Sequence, residues 1–193
     1  AVSADGRLLV WGGANEGIYT WDPLKRQPAL NLPGPMSEVR SGGFDPAGKM
    51  VALGSFDATV RLYDSQTAEE TKCIRAHAGP VTSAIFSPDG KSLITAGHAG
   101  RATAGDSPDK AHNLRLWGFP ACTERVVHRL DKLARNYPPD RLAASPNGQQ
   151  VAVGGFGGLY LLDMELSAVA AVSAAISLDP VYSPDGRTLA VAK

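Results

Sequence analysis

The chain has 193 residues, of which 44% are hydrophobic and 20% are charged, and this is enough apolar sequence for a buried core. The charges of its 19 basic and 19 acidic residues cancel. No basic stripe with interleaved aromatic residues occurs, so nucleic acid binding has little support. The sequence contains no apolar run of about 18 residues, so it does not predict a membrane-spanning helix. With only Cys73 and Cys122, a disulfide framework is not expected, and a reducing, cytoplasmic location is favoured.

One phrase occurs five times along the chain: two short apolar runs joined by a turn of the Ser-Pro-Asp-Gly type. The turns lie at residues 3–6, 45–48, 87–90, 145–148 and 183–186. Proline presets φ in such a turn and Asp-Gly tolerates positive φ, so each phrase predicts a β-hairpin. The turn glycines are 42, 42, 58 and 38 residues apart, which indicates a repeating unit of about 40 residues.

Each of the first four copies continues into two further predicted strands. In the central copy the four segments are VTSAIFS, SLITAG, NLRLWG and RVVHRL. Short runs rich in β-branched residues suit strands that are buried on both faces. A single sheet of this kind cannot bury both faces by itself, so the repeats are expected to stack as neighbouring antiparallel sheets.

The long third interval contains about eleven extra residues between the second and third strands of the central copy. They fall in the stretch 98–112, which is polar, contains Gly and Pro, and has no periodicity, so it is predicted to be an inserted surface loop. Two other segments fit the repeat less well. Residues 130–141 are interrupted by prolines, and residues 164–179 are rich in alanine, but the register of the repeat favours a strand for the second segment.

His77 before the central copy, the Ser-Pro-Asp-Gly hairpins and the aromatic-Asp endings of the third strands together resemble the WD-repeat (WD40) β-propeller family, with hairpin-rich repeats of the bacterial kind. The resemblance implies an all-β fold of β-propeller blades, each with four antiparallel strands. About four and a half repeats would form a single segment over residues 1–193. Because the two terminal hairpins duplicate each other, we expect an open arc that is part of a larger propeller or pairs with another copy.

The resemblance also implies structural roles for particular side chains. His77 and Trp117 would join a Ser or Thr and a hairpin Asp in a buried hydrogen-bond network. Ala96 is expected at the Ser/Thr position and the insertion displaces the Asp, so this network is predicted to be incomplete. The positions equivalent to His77 hold Pro35, Arg135 and Ser173. The third strands would be closed by Trp21, Tyr63 and Trp117 and by Asp22, Asp64 and Asp163.

No catalytic residue, metal or cofactor is predicted. The nucleophile motif Gly-x-Ser-x-Gly does not occur, and the glycines of GGFGG are not followed by the Lys of a phosphate-binding loop. His98, Asp106, Asp109 and His112 of the inserted loop match no known metal-ligand spacing. The absence of a catalytic constellation favours a binding function.

The predicted function is a non-catalytic protein–protein interaction scaffold. Its partner, a protein or peptide, is expected to bind the rim formed by the hairpins between second and third strands. The rim candidates are Asn15, Glu16, Phe56, His98, Arg101 and Phe156. One alternative is a regulatory or sensor propeller attached to a larger bacterial enzyme. The other is an extracytoplasmic propeller of the TolB or YVTN type, against which the aromatic-Asp endings argue.

Overall fold

The computed structural model describes residues 1–3, 5–12, 18–29, 32, 37–98, 113–129, 139–155, 158–173 and 178–192. Within these ranges all the regular elements are β-strands, which confirms the all-β prediction. The strands form five antiparallel sheets, in which neighbours along the chain are neighbours in the sheet. In these same ranges, no helix is long and apolar enough to span a bilayer.

Sheet 1 consists of β1 (Leu9–Gly12), β2 (Ile18–Asp22) and β3 (Gln27–Pro28). Sheet 2 consists of β4 (Val39–Phe44), β5 (Met50–Ser55), β6 (Thr59–Asp64) and β7 (Glu70–Arg75). Sheet 3 consists of β8 (Val81–Phe86), β9 (Ser92–Gly97), β10 (Asn113–Gly118) and β11 (Thr123–Arg129). Sheet 4 consists of β12 (Pro139–Ala144), β13 (Gln150–Gly155), β14 (Gly158–Asp163) and β15 (Ala168–Ser173). Sheet 5 consists of β16 (Leu178–Tyr182) and β17 (Leu189–Ala192).

The turn between the first two strands of sheet 3 shows why Ser-Pro-Asp-Gly recurs. The Ser87 hydroxyl donates to Asp89 Oδ1 at 2.6 Å and accepts from the Ser92 N–H at 2.9 Å. Asp89 Oδ1 also accepts from the Lys91 N–H at 3.0 Å, and Gly90 has φ +68°. The serine therefore satisfies the start of the second strand, while the aspartate holds the turn and glycine supplies the left-handed residue.

Two copies of the turn reach the same geometry with different side chains. In sheet 4, Asn147 Oδ1 replaces the aspartate oxygen and accepts from the Ser145 hydroxyl at 2.7 Å and the Gln149 N–H at 3.1 Å. In sheet 2, Asp45 stands in the serine position, and its Oδ1 accepts from the N–H groups of Lys49 and Met50, both at 2.7 Å. Each of these turns therefore has a side-chain oxygen acceptor at its start, provided by either Ser or Asp.

Three hydrophobic clusters join successive sheets. Sheets 1 and 2 share a cluster that contains Leu8, Val10, Ile18, Val51, Leu53 and Tyr63. Sheets 2 and 3 share one that contains Ala52, Val60, Leu62, Leu93 and Trp117. Sheets 3 and 4 share one that contains Ile94, Leu114, Leu116, Val151, Val153 and Leu162. Because side chains alternate along a strand, each middle sheet gives one face to the sheet before it and the other to the sheet after it.

Contacts between strands of different sheets order the sheets as an open stack. β4 contacts β1 and β8, and β12 contacts β8 and β16, so the sheets follow one another in chain order. The stack of described residues does not close into a ring, in agreement with the expected open arc. The alanine-rich stretch 164–179 supplies strand β15 and the start of β16, as its register predicts. Of residues 130–141, only the last three, at the start of β12, fall in the described part.

Candidate functional site

Phe56 and His98 occupy equivalent places at one end of sheets 2 and 3. Each follows the second strand of its sheet. The Phe56 N–H donates to Glu38 O at 2.9 Å, and the His98 N–H donates to Pro80 O at 2.8 Å. In both cases the acceptor is the residue directly before the first strand of that sheet. The structure therefore places these two rim candidates at the same end of neighbouring sheets.

Phe56 has fixed neighbours although its side chain is partly open to solvent. The residue is 38% exposed, and the Arg40 guanidinium carbon lies 4.7 Å from the centroid of the ring. A cation at this distance from an aromatic face is attracted by the ring quadrupole. Glu38 in turn holds Arg40, with Oε1 3.1 Å from Nε. We call Glu38, Arg40 and Phe56 the Phe56 cluster: it presents an aromatic ring, a cation and a carboxylate together.

The hairpin that carries Phe56 is locked by its own polar groups. Asp57 Oδ1 accepts from the Thr59 N–H at 2.9 Å and from the Thr59 hydroxyl at 2.5 Å. Ala58 has φ +72°, and its carbonyl accepts from the N–H groups of Ala76 and His77 at 3.0 and 3.3 Å. The hairpin of sheet 2 is therefore bound to the segment that leads into sheet 3, so the position of Phe56 is set before any partner binds.

His77 lies in a buried polar network, and the expectation for this network is wrong in one respect. His77 Nε2 lies 2.8 Å from Thr95 Oγ1, and Trp117 Nε1 donates to the same oxygen at 3.0 Å. The hydroxyl thus comes from Thr95 and not from position 96, where Ala96 belongs to the opposite face of β9. Pairing of Leu93 with Trp117 puts odd-numbered residues of β9 on the face of Trp117. Strand parity in the sequence separates Thr95 from Ala96, but only the pairing of β9 with β10 shows which of the two faces Trp117.

Asp22, Asp64 and Asp163, which end β2, β6 and β14, hold the turns that follow these strands. Asp22 Oδ1 accepts from the N–H groups of Leu24 and Lys25, both at 2.9 Å. These backbone hydrogen bonds, that of Lys25 foremost, lower the pKa of Asp22. Asp64 Oδ1 accepts from the N–H groups of Gln66 and Thr67 at 2.8 and 2.9 Å, which likewise lowers the pKa of Asp64. In sheet 4, Asp163 Oδ1 accepts from backbone N–H groups at 3.0 and 2.8 Å.

The aromatic residues before these turns differ in burial. Tyr63 is fully buried, and burial raises the pKa of its hydroxyl well above its ordinary value. Trp117 is 6% exposed, whereas Trp21 is half-buried. Tyr63 and Trp117 lie in the clusters that join their sheets to the preceding sheet. The three positions are equivalent in register, but sheet 1 leaves its member more open.

Several residues considered in the sequence lie outside the described residues. These are the rim candidates Asn15, Glu16, Arg101 and Phe156, the loop residues Asp106, Asp109 and His112, and Pro35 and Arg135. Ser173 is the last residue of β15. Among the described residues, no group of three or more His, Cys, Asp or Glu side chains could hold a metal ion. Cys73 is exposed in β7, while Cys122 is buried, which raises the pKa of its thiol.

Comparison with known proteins identifies WD repeats in part of the chain. The family model described as "WD domain, G-beta repeat" matches residues 26–64 and 68–102. These segments run from the end of sheet 1 through β9 and include the Phe56 hairpin, His77 and Thr95. WD repeats are thus present in the chain, as the sequence predicted. Proteins with such repeats generally bind protein partners and are generally non-catalytic.

Individual relatives extend the similarity further along the chain. The chain is 34% identical over 154 residues to "Telomerase protein component 1" of Rattus norvegicus, which covers 78% of this chain and 5% of that protein. It is 36% identical over 73 residues to "Notchless protein homolog" of Arabidopsis thaliana, with 37% and 15% covered. It is 31% identical over 98 residues to "Coronin-7" of Homo sapiens, with 50% and 10% covered. The chain therefore spans a small part of each relative, and the bacterial character expected of its repeats stays a prediction.

Proposed function

We propose that this chain is a non-catalytic, cytoplasmic protein–protein interaction scaffold of the WD-repeat propeller type. Its stacked sheets form one module over residues 1–193, and its ligand is a protein or peptide rather than nucleic acid or a membrane. The single observation that carries the proposal is the Phe56 cluster, a partly exposed aromatic ring held by Arg40 at the end of a rigid sheet. The WD-repeat matches across the same hairpin support it.

The chemistry of the Phe56 cluster suits recognition better than catalysis. Aromatic and Arg side chains are the residue types that most often dominate the binding energy of protein interfaces. Arg40 already contacts one face of the Phe56 ring, so less side-chain entropy is lost when a partner covers the cluster. We extend the same surface to His98 by backbone equivalence, and to Asn15, Glu16, Arg101 and Phe156 by their register in the sequence.

Site-specific photo-crosslinking tests this function. A photoreactive phenylalanine such as p-benzoylphenylalanine replaces Phe56, and a cytosolic extract is irradiated and analysed by mass spectrometry. The matched control carries the same group in place of Leu24, which is 73% exposed in the β2–β3 turn at the other end of its sheet. We expect one protein to be captured from position 56 and not from position 24. Equal capture from both positions would contradict a binding surface at the Phe56 cluster.

A second experiment separates binding from catalysis. The captured protein is incubated with the purified chain and then with the Phe56→Ala variant, and its mass and covalent state are followed over time. The proposal expects a stable complex with an unchanged partner, and a weaker complex with the variant. Turnover of the captured protein by the wild-type chain would show that the chain is an enzyme and that the scaffold assignment is wrong.

A further inference from the structure

The guanidinium of Arg40 is held by two neighbours and is still open to solvent. Its carbon lies 4.7 Å from the centroid of the Phe56 ring, and its Nε lies 3.1 Å from Glu38 Oε1. Nevertheless 45% of the Arg40 side chain is exposed, against 31% of the Glu38 side chain. The cation is therefore the more open of the two charges in the Phe56 cluster, and its orientation is set without a partner.

Arg40 has hydrogen-bonding capacity that the fold does not use. A guanidinium carries several N–H donors in one plane, and the closest contact with Glu38 is made through Nε. Among the residues that the structure describes, no second carboxylate lies within ion-pair distance of Arg40. Asp57 of the same hairpin is already engaged, because the Thr59 N–H donates to its Oδ1 and its Oδ2 lies 3.8 Å from Arg61 Nη2. The described part of the chain therefore gives Arg40 one carboxylate and leaves room for another.

The position of Arg40 in its strand has a structural role in sheet 3 but not in sheet 2. Arg40 lies in a β-bulge of β4, and Thr82 occupies the same place in β8. Thr82 is buried, and its hydroxyl donates to Pro139 O at 2.6 Å, which joins sheet 3 to sheet 4. Arg40 is exposed instead and contacts Glu38 and Phe56 of its own repeat. A bulge redirects a side chain out of the regular ladder, and here it displays a cation at the surface.

We propose that the Phe56 cluster binds an acidic peptide segment of the partner, in which an Asp or Glu carboxylate pairs with Arg40 and a neighbouring apolar side chain covers the open part of the Phe56 ring. This inference rests on the proposed scaffold function and names the chemistry of its partner. A guanidinium matches a carboxylate in plane, and here it is already oriented. The apolar neighbour is needed because an ion pair at an exposed rim contributes little by itself.

Glu38 distinguishes an acidic partner from a basic one. Its carboxylate repels a second carboxylate and attracts a cation, so removing its charge acts in opposite directions on the two kinds of partner. Glu38→Gln keeps the shape of the side chain, and the Phe56 ring still holds the Arg40 guanidinium. For an acidic peptide we expect Glu38→Gln to strengthen binding by roughly two- to fivefold.

Peptide selection tests the inference without knowledge of the partner. A phage-displayed library of short random peptides is selected on the immobilised whole chain and counter-selected on the Phe56→Ala variant. We expect the retained peptides to carry Asp or Glu next, or next but one, to a large apolar residue. One retained peptide is then synthesised with a fluorescent label, and its affinity for each variant is measured by fluorescence anisotropy.

Changes on both sides of the contact make the test independent of any one variant. Arg40→Ala should weaken the labelled peptide by about tenfold, and Arg40→Lys should recover only part of the loss, because it keeps the charge but not the planar pairing. An amide in place of the peptide carboxylate should weaken binding to the wild type equally, and should have little further effect on Arg40→Ala. Arg125→Ala is the matched control: this side chain is 47% exposed and ion-paired with Glu165 in edge strand β11, so its loss should leave the affinity unchanged.

Retained peptides without acidic residues, or an unchanged affinity in folded Arg40→Ala, would overturn the inference and leave a binding surface at Phe56 in place. Weaker binding to Glu38→Gln would identify a basic partner instead. A phosphoserine in place of the peptide carboxylate that raises the affinity more than about tenfold would identify a phosphopeptide surface, and would also contradict the inference. If no peptide survives counter-selection, the acidic-peptide inference fails, while photo-crosslinking at position 56 decides the scaffold function separately.

Discussion

Thr95 Oγ1 lies 2.8 Å from His77 Nε2, and this contact joins the segment before sheet 3 to the second strand of that sheet. Trp117 Nε1 donates to the same hydroxyl from the third strand. Thr95 is fully buried, and its hydroxyl oxygen contacts both partners. The arrangement fixes His77, whose N–H also binds the hairpin of sheet 2. One hydroxyl therefore helps to set the relative position of two sheets.

Replacing this hydroxyl should destabilise the fold. We expect Thr95→Val to lower the free energy of unfolding by about 1–3 kcal/mol, since it leaves the buried Trp117 N–H without its acceptor. Thr95→Ser keeps the hydroxyl and loses one methyl group, so it is the control and should cost less. Urea denaturation followed by tryptophan fluorescence measures both. Equal losses in the two variants would show that packing, and not the hydroxyl, is what matters at this position.

Gly97 should tolerate no side chain because the His77 ring lies directly over it. A Cβ atom at Gly97 would overlap three ring atoms of His77. We expect Gly97→Ala to cost about 1–3 kcal/mol or more of unfolding free energy, and to disturb the His77 contact with Thr95. Gly148→Ala is the matched control. Its Cβ meets no atom within 4 Å, but φ is +68°, so only backbone strain of about 1 kcal/mol is expected.

Chemical denaturation and the melting temperature measure the stability of both glycine variants. A Gly97→Ala protein that is as stable as Gly148→Ala would contradict the observed packing of the His77 ring.

Acid sensitivity should be traceable to the Ser-Pro-Asp-Gly turns. The Ser87 hydroxyl, followed by the Lys91 N–H, lowers the pKa of Asp89 below its ordinary value. A carboxylate with a lowered folded-state pKa stabilises the protein above its unfolded pKa, and this stabilisation is lost as the pH falls through the folded pKa. Asn147 shows that an amide oxygen makes the same contacts. We therefore expect Asp89→Asn to fold with the same turn and to lose part of the acid response.

The measurement is the difference in unfolding free energy between Asp89→Asn and the wild type from about pH 5 to pH 2. The variant should gain relative to the wild type as the pH falls. Asp5 and Asp185 make equivalent contacts and have lowered pKa values, so a residual acid response remains in the variant. Parallel curves for the two proteins over this range would refute a contribution of Asp89.

Removal of the Phe56 ring should leave the fold nearly unchanged. The residue is 38% exposed, so we expect Phe56→Ala to cost about 1 kcal/mol or less of unfolding free energy. Leu53→Ala, three residues earlier and 2% exposed, should cost about 2–5 kcal/mol because it opens a cavity between sheets 1 and 2. Thermal melts of the two variants make the comparison. If Phe56→Ala lowered the unfolding free energy as much as Leu53→Ala, the Phe56 ring would be part of the packed core.

The hairpins could be predicted from the sequence because each one has a local cause. Ser-Pro-Asp-Gly fixes a turn by itself, and the alternation of β-branched runs fixes the strands beside it. The alanine-rich segment that becomes β15 shows the limit of propensity, because its strand follows from its place in the repeat. The stacking order of the sheets follows from the same repeat, since each sheet leaves a face to be covered.

The remaining features of the site could not be predicted, because they depend on contacts between residues that are distant in the sequence. The role of Thr95 was missed because the expected position was carried over from a family pattern, while the pairing of β9 with β10 decides which residue faces His77. The approach of Arg40 to the Phe56 ring joins residues on two strands and leaves no local signal in the sequence. The stacking of the exposed rings of Trp11 and Tyr19 depends on the register of β1 against β2, which the sequence alone does not give.

The most direct test of the scaffold function is the affinity of the partner captured from position 56, measured by titration calorimetry against the wild type, Phe56→Ala and Leu24→Ala. Loss of the ring should weaken binding by roughly 5- to 30-fold, which corresponds to about 1–2 kcal/mol, while the melting temperature stays close to that of the wild type. Leu24→Ala should bind as the wild type does. An unchanged affinity in folded Phe56→Ala would contradict the claim that this surface binds the partner.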